Sequence, residues 1–316
     1  MSDNRLQFNG RVAIVTGSGR GLGREYAILL ARLGASVVVN STSASTADPT
    51  VQDIIDMGGK AVSFIGSVAD RAIADGLVQA AVDAFGRIDI VINNAGYGNP
   101  ALFEDTSEKS LWDMFHVHVG GSWNVTQAAW PHMKKQKYGR IIMITSALML
   151  GSATTTTYSA AKLALVGLAK SLAIEGKAHG ILVNTVATSG YSPGAAKVIQ
   201  SDQIMEAMKA FMPAEDIAPG VLWLVHEDFQ ATGQSFSVAG RLMTEIFLAE
   251  TQGFMGSQDA DWGIESIREH WSEITDKTDY TVPTDASVFG PLLFQRLSAG
   301  NSELQGDNPQ SGFEKK

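Results

Sequence analysis

Val12-Ala13-Ile14-Val15-Thr16-Gly17-Ser18-Gly19-Arg20-Gly21-Leu22-Gly23 is the stretch on which the fold of this chain turns. Val12–Thr16 is a short β-branched apolar run, the composition of a strand buried on both faces. It passes without a break into a loop with glycine at positions 17, 19, 21 and 23, and then into apolar residues at helical spacing up to Leu33. Without a Cβ, glycine allows a tight turn and lets backbone N–H groups approach an anionic group at the start of the helix. Strand, glycine loop and helix in this order open a βαβ unit that cradles a pyrophosphate. The stretch therefore predicts a dinucleotide held by Gly17, Ser18, Gly19, Arg20, Gly21, Leu22 and Gly23.

The same alternation continues along the chain. Further strands are expected at Ser36–Asn40, Ala61–Ile65, Ile88–Asn93, Arg140–Thr145, Ile181–Val186 and Ser235–Val238. Helices are expected at Gly21–Leu33, Thr50–Met57, Ala69–Phe85, Ser110–Lys135, Tyr158–Ala178 and Ala214–His226. The fold class is α/β: a Rossmann-type doubly wound, seven-stranded parallel sheet with helices on both faces. It occupies residues 1–240. Beyond Gly240 the composition shifts to Asp, Ser, Thr and Pro with isolated tryptophans. Residues 241–316 read as a C-terminal extension without its own core, packed on the domain or on a partner subunit, with Ser298–Lys316 frayed.

Composition narrows the chemistry. The chain has 316 residues, a net charge of −9, 45% apolar and 18% charged residues, and no cysteine. Disulfides, thiolate metal sites and thiol nucleophiles are thereby excluded. The six histidines are scattered and no metal site is expected. The negative charge argues against nucleic acid as a partner. No apolar run reaches the length of a membrane span, and Met1–Gly10 lacks the apolar core of a signal peptide. Phe313-Glu314-Lys315-Lys316 matches no peroxisomal or retention address, so a cytoplasmic protein is expected.

Tyr158 and Lys162 stand four residues apart at the start of an expected helix, on one face. Two unit charges about 4 Å apart at an effective dielectric near 20 interact by about 4 kcal/mol. An ammonium so placed is expected to bring a phenol from about 10 to near 7. Such a phenol exchanges protons with an alcohol or a carbonyl at cell pH.

The Gly17-x-x-x-Gly21-x-Gly23 loop, Asn93-Asn94-Ala95-Gly96 and Tyr158-x-x-x-Lys162, in this order, resemble the short-chain dehydrogenase/reductase family over about residues 8–240. The resemblance implies a nicotinamide cofactor at the carboxyl ends of the strands, with Asn94, Ala95 and Gly96 lining it. Asn40, Ser41 and Thr42, Ser67 and Val68, and Thr188 stand at the other strand ends of that cofactor site. Where an acid would meet the ribose of NAD, the chain has Asn40-Ser41-Thr42-Ser43. Arg20 and the Ser41–Ser43 hydroxyls instead suit a 2′-phosphate, so NADP is expected ahead of NAD. The resemblance also implies a catalytic serine, usually thirteen residues before the tyrosine. Thirteen back is Thr145, but Ser146 ends the expected strand and takes the role, with Thr145 in reserve. Lys162 would lower the phenol's pKa and hold the nicotinamide ribose. His118 stands where the family often has a fourth catalytic residue, an asparagine. Thr188-Ser189-Gly190 replaces the usual Pro-Gly, and Ser189–Met212 reads as a substrate lid or as ordinary core filler.

A closer likeness is to the dehydrogenase part of peroxisomal multifunctional enzymes, which act on (3R)-3-hydroxyacyl-CoA and some hydroxysteroids. It rests on Val117-His118-Val119, Ala129-Trp130-Pro131-His132-Met133-Lys134-Lys135-Gln136, Tyr138-Gly139-Arg140-Ile141-Ile142-Met143 and Val221-Leu222-Trp223-Leu224-Val225-His226-Glu227. No hydratase or sterol-carrier module is expected after it. The resulting expectation is interconversion of a secondary alcohol and a ketone on a bulky lipid-like small-molecule substrate. A reductase of a small polar or aromatic ketone and a non-catalytic cofactor-binding protein are the alternatives. Lys197 and Lys209 are the lysines near the lid that a CoA thioester would want, a sparse set that leans toward a neutral steroid. The family resemblance implies a homodimer or homotetramer through the Ser110–Lys135 and Tyr158–Ala178 helices.

Overall fold

Eight strands form one sheet: β1 (Val12–Val15), β2 (Ser36–Ser41), β3 (Lys60–Ile65), β4 (Ile90–Asn93), β5 (Gly139–Thr145), β6 (Ile181–Ser189), β7 (Ser235–Ala239) and β8 (Leu242–Ile246). Their order is β3-β2-β1-β4-β5-β6-β7-β8. The computed structural model describes residues 6–192, 201–257 and 262–299, and divides into two compact units, Met1–Ile246 and Phe247–Lys316.

The first unit is doubly wound because its strands are apolar on both faces. Ala13 and Val15 of β1, Val37 and Val39 of β2, and Ile90 and Ile92 of β4 enter one core. Their neighbours Ile14, Val38 and Val91 enter the other. That alternation is the two-residue period of a strand, here with no polar face. Helices α1 (Gly21–Arg32) and α8 (Ala214–Trp223) cover the first face. Helices α3 (Arg71–Phe85), α5 (Gly121–Gln136) and α6 (Thr156–Lys177) cover the second. The remaining helices of this unit are α2 (Ala44–Asp56), α4 (Glu108–Phe115) and α7 (Asp202–Phe211). β1 lies between β2 and β4, so the winding reverses there and a crevice opens at the carboxyl ends of the strands.

Two expectations are corrected. The sheet has eight strands rather than seven, and β8 runs antiparallel to β7, with Ser235 opposite Ile246 and Ala239 opposite Leu242. Gly240, at φ +54°, makes the turn between them. The segment directly after residue 240 therefore belongs to the sheet. The single helix expected over Ser110–Lys135 is two helices, α4 and α5, joined by a π-helical turn at His116–Gly120. Gly121 approaches Val68 so closely that a Cβ would lie 2.6 Å from Val68 Cγ2. A side chain at 121 would push the helix off the loop that follows β3. π-turns inside α-helices often mark functional positions, and this one carries His118.

The second unit has a two-stranded antiparallel ladder, Glu250–Thr251 with Tyr280–Thr281, and helices at Ile264–Glu269, Trp271–Ile274 and Ala286–Ala299. The Phe254 and His270 rings stack with centroids 3.5 Å apart. No described residue of this unit is fully buried.

Candidate active site

The glycine loop is shaped by close approach. Gly17 has φ +62°, and a Cβ on it would lie 2.8 Å from Ala95 Cα. A Cβ on Gly23 would lie 2.5 Å from Asn94 Nδ2 and 2.6 Å from the Gly17 carbonyl oxygen. Thr16 and Asn94 fasten the β1 and β4 ends together. The Thr16 hydroxyl accepts from the N–H groups of Asn94 and Ala95, both at 2.9 Å, and Asn94 Nδ2 donates to the Thr16 carbonyl at 2.9 Å. Gly23→Ala is accordingly expected to weaken dinucleotide binding at least tenfold, because the clash is with loop backbone that cannot step aside. Titration of cofactor by fluorescence checks this, and wild-type affinity would separate this loop from the cofactor.

Two of the residues expected to touch cofactor are committed to the fold instead. Asn40 is buried. Its Oδ1 accepts from Gly17 N–H at 3.3 Å, and its Nδ2 donates to the carbonyls of Phe64 and Gly66, each at 3.1 Å. All its polar capacity goes to bracing the ends of β1, β2 and β3. Ser18 is also fully buried: its hydroxyl donates to the Val15 carbonyl at 2.6 Å and accepts from Asn40 N–H at 3.1 Å. Ser41 pairs with the Thr46 hydroxyl at 2.8 Å, while Thr42 is exposed. Arg20 is exposed and has no ion-pair or hydrogen-bond partner among the described residues. At the β3 end Ser67 is exposed, and Val68 is buried with its carbonyl accepting from Asn124 Nδ2 at 3.1 Å.

Ser146, Tyr158, Lys162 and His118, brought in by β5, α6 and the π-turn, line one cavity of about 610 Å³. Asn94, Gly96, Leu22 and Thr188 line it as well. Ser146 immediately follows β5, accepts from Leu148 N–H at 3.2 Å and stands close enough to Tyr158 to favour its ionised form. Thr145 lines the same cavity, and its buried hydroxyl has no partner among the described residues. Lys162 is buried, donates to the Ile144 carbonyl at 2.6 Å and lies 5.5 Å from the centroid of the Tyr158 ring.

The electrostatics differ from the expectation of a tyrosine near 7. Burial holds the Tyr158 phenol above its ordinary range, and nearby Ser146 only partly opposes it. Burial also pushes Lys162 down to about 7. A lysine short of full charge at neutral pH is a weaker acidifier than one in water, so desolvation wins over the ion–phenol attraction. His118 is lowered to about 3, by burial first and then by Lys162, and is a neutral imidazole at cell pH. Its Nε2 lies 2.8 Å from the Tyr97 carbonyl and 3.4 Å from the Tyr97 nitrogen, the shorter contact favouring Nε2–H, and its Nδ1 is buried and unpartnered among the described residues. Its ring meets that of Tyr158 edge-on at 5.2 Å.

The segment expected to be a lid supplies Ile204, Met208 and Met212 to the cavity, from α7 and its end. Residues 193–200, with Lys197, lie outside the described residues. Lys209 is not a free cation: it pairs with Glu206 at 2.6 Å. Tyr97, Asn99 and Thr154 also line the cavity and were not foreseen. Their signal was position alone, on loops following strands at the carboxyl edge. Among the described residues no cluster of three or more His, Asp or Glu is placed to hold a metal, and no helix is long and apolar enough to cross a membrane.

A family model described as short chain dehydrogenase matches residues 11–204. The peroxisomal multifunctional enzyme type 2 of Mus musculus is 40% identical over 290 residues, 88% of this chain and 38% of that protein. Its Drosophila melanogaster counterpart is 38% identical over 99% of this chain and 53% of that protein. In the solved full-length Drosophila structure the TM-score is 0.79 at 33% identity, covering 93% of this chain and 50% of that one. A 7α-hydroxysteroid dehydrogenase complexed with NADH and 7-oxo glycochenodeoxycholic acid gives a TM-score of 0.70 at 29% identity, covering 76% and 97%. The chain thus spans only 38% and 53% of the two multifunctional enzymes. The expectation of a cytoplasmic protein is corrected by these names. The mouse and fly relatives, and those of Neurospora crassa and Dictyostelium discoideum, are all called peroxisomal. With the fold, the loop and these matches together, the chain belongs to the short-chain dehydrogenase family and is an oxidoreductase of that class.

Proposed function

We propose that the chain interconverts a secondary alcohol and a ketone on a bulky lipid-like substrate, a 3-hydroxyacyl thioester or a hydroxysteroid, by Tyr-Lys-Ser catalysis with a nicotinamide cofactor. The observation that carries this is the convergence of Ser146, Tyr158 and Lys162 on one cavity that Leu22 of the glycine loop also lines. The unit Met1–Ile246 carries this chemistry, and Phe247–Lys316 forms the second unit.

The family uses NAD or NADP, which supplies hydride transfer when bound. The Gly17–Gly23 loop would take its pyrophosphate and Asn94–Gly96 would flank it. Ser146 donates a hydrogen bond to the substrate oxygen, and the Tyr158 hydroxyl, which lines the same cavity, gives or takes that oxygen's proton. Lys162, fixed by the Ile144 carbonyl, adds positive charge beside the phenolate as it forms. His118, neutral and held by Tyr97, packs its edge on the Tyr158 ring and limits its rotation. The apolar α7 side and the cavity size support a bulky substrate over a small polar ketone.

NADP is preferred in this reading. No carboxylate follows β2, and the exposed guanidinium of Arg20 is unclaimed. Arg20→Ala is expected to raise KM for NADP about tenfold, the size of one charge-assisted contact, and leave KM for NAD nearly unchanged. Equal effects on both would end the NADP preference. Trp112, Trp123, Leu163 and Ile174 are 51%, 47%, 46% and 58% exposed along α4, α5 and α6, which supports a homodimer or homotetramer. The direct test of the function is a panel of 3-hydroxyacyl-CoAs and hydroxysteroids with both cofactors. Oxidation of neither class by the wild-type chain would overturn it.

A further inference from the structure

The substrate cavity has two unlike walls. On one side α7 presents Ile204, Met208 and Met212. On the other lie Asn99 and the turn Ser152–Thr155. Among the described lining residues the one charged group is Lys162, which is spent on the Ile144 carbonyl. No other described lining residue would neutralise an anion, which favours an uncharged group at this wall.

Thr154 is the unusual residue of the polar wall. It is non-glycine at φ +66°, a conformation that a β-branched residue rarely adopts and that persists only where its surroundings impose it. The surroundings do so from both sides. Ala101 N–H donates to the Thr154 carbonyl at 2.8 Å, tying the turn to the loop after β4. The next residue, Thr155, is buried, donates to the Ser152 carbonyl at 3.0 Å and pairs with the Ser159 hydroxyl at 3.0 Å. Ser159 is the neighbour of Tyr158 on α6, so the turn stands at a fixed offset from the catalytic hydroxyl. The Thr154 hydroxyl itself has no hydrogen-bond partner among the described residues.

We propose that Thr154 is a specificity-determining residue, whose hydroxyl reads a neutral hydrogen-bonding group of the substrate at a set distance from the reacting carbon while α7 takes the apolar remainder. This deepens the function proposed above and rests on it. Two sources fit that shared chemistry: the amide of an acyl thioester arm and a second oxygen on a steroid.

The test measures dissociation constants by calorimetry for four ketones: an N-acetylcysteamine 3-oxoacyl thioester, 2-octanone, a steroid diketone and a steroid monoketone. Thr154→Val is expected to weaken one of the two hydrogen-bonding ligands about five- to tenfold, the value of one hydrogen bond, with 2-octanone and the monoketone unchanged. The arm that weakens identifies the source. Thr154→Ser should restore wild-type binding, and Thr154→Gly, which suits the backbone, should behave as Thr154→Val. Equal weakening of all four ligands, or of none, overturns the proposal. Because binding is read without turnover, an inert wild-type chain would defeat the function while leaving this comparison intact.

Discussion

Tyr158→Phe is expected to lower kcat by about a thousandfold or more and to leave cofactor affinity within about twofold of wild type. General acid–base catalysis by a positioned group contributes roughly 10²–10⁴-fold, and the cavity offers no second group able to take the role. Ser146 has a hydroxyl of much higher intrinsic pKa, and Lys162 is held away by the Ile144 carbonyl. His118 is neutral, with its N–H turned to Tyr97. The phenylalanine ring keeps the edge-on contact with His118, so the packing survives. Ser146 keeps its bond from Leu148 N–H. Stability should change by about 1 kcal/mol or less. The dinucleotide loop is braced by Asn40, Ser18 and Asn94, none of which depends on Tyr158. Steady-state rates with cofactor titration separate the two effects. Turnover within tenfold of wild type would mean that another group moves the proton.

The depth at which each feature could be read from residues follows from what determines it. Strands β1, β2 and β4 were legible because burial on both faces demands unbroken β-branched runs. The strand–glycine–helix succession is equally a local requirement, since a Cβ at 17 or 23 meets backbone. The π-turn was not legible: one extra residue in a turn hardly disturbs a 3.6-residue period, and only the Gly120-Gly121 pair hinted at it. β8 was masked by its place after Gly240, where Leu242-Met243-Thr244-Glu245-Ile246 reads as polar and apolar without strict alternation. Asn40 was misplaced because residue type and strand end suggest a ribose contact, whereas tertiary pairing absorbs its amide completely. Thr154 carries no sequence mark of a positive φ, because its conformation is imposed by Ala101 and the Thr155–Ser159 pair. The acidity of Tyr158 was misjudged for a related reason. Spacing reveals that a cation is near, but only the fold reveals that Lys162 is buried and Tyr158 half-buried.

That burial makes Lys162→Met the second decisive variant, and it should do two opposite things. Activity is expected to fall about a hundredfold or more, because the positive charge beside the forming phenolate is gone. Stability at pH 6 is expected to rise by about 2 kcal/mol. Burial lowers the pKa of Lys162 from 10.5 to about 7, and each pKa unit corresponds to about 1.4 kcal/mol. The gain is reduced by leaving the Ile144 carbonyl without its donor. The sign follows from proton counts. Between about pH 7 and 10.5 the unfolded lysine holds more protons than the folded one, so wild-type stability rises with pH across that window. Below about 7 both states are protonated and the whole desolvation penalty remains. Methionine, of similar length and uncharged, has no such slope. The stability advantage of Lys162→Met should therefore be largest at or below pH 7 and shrink steadily toward pH 10. Denaturant unfolding at pH 6, 8 and 9.5 reads it directly. A variant less stable than wild type at pH 6 would show that the bond to Ile144 outweighs the buried charge, and that Lys162 is held in the site as much for the fold as for the chemistry.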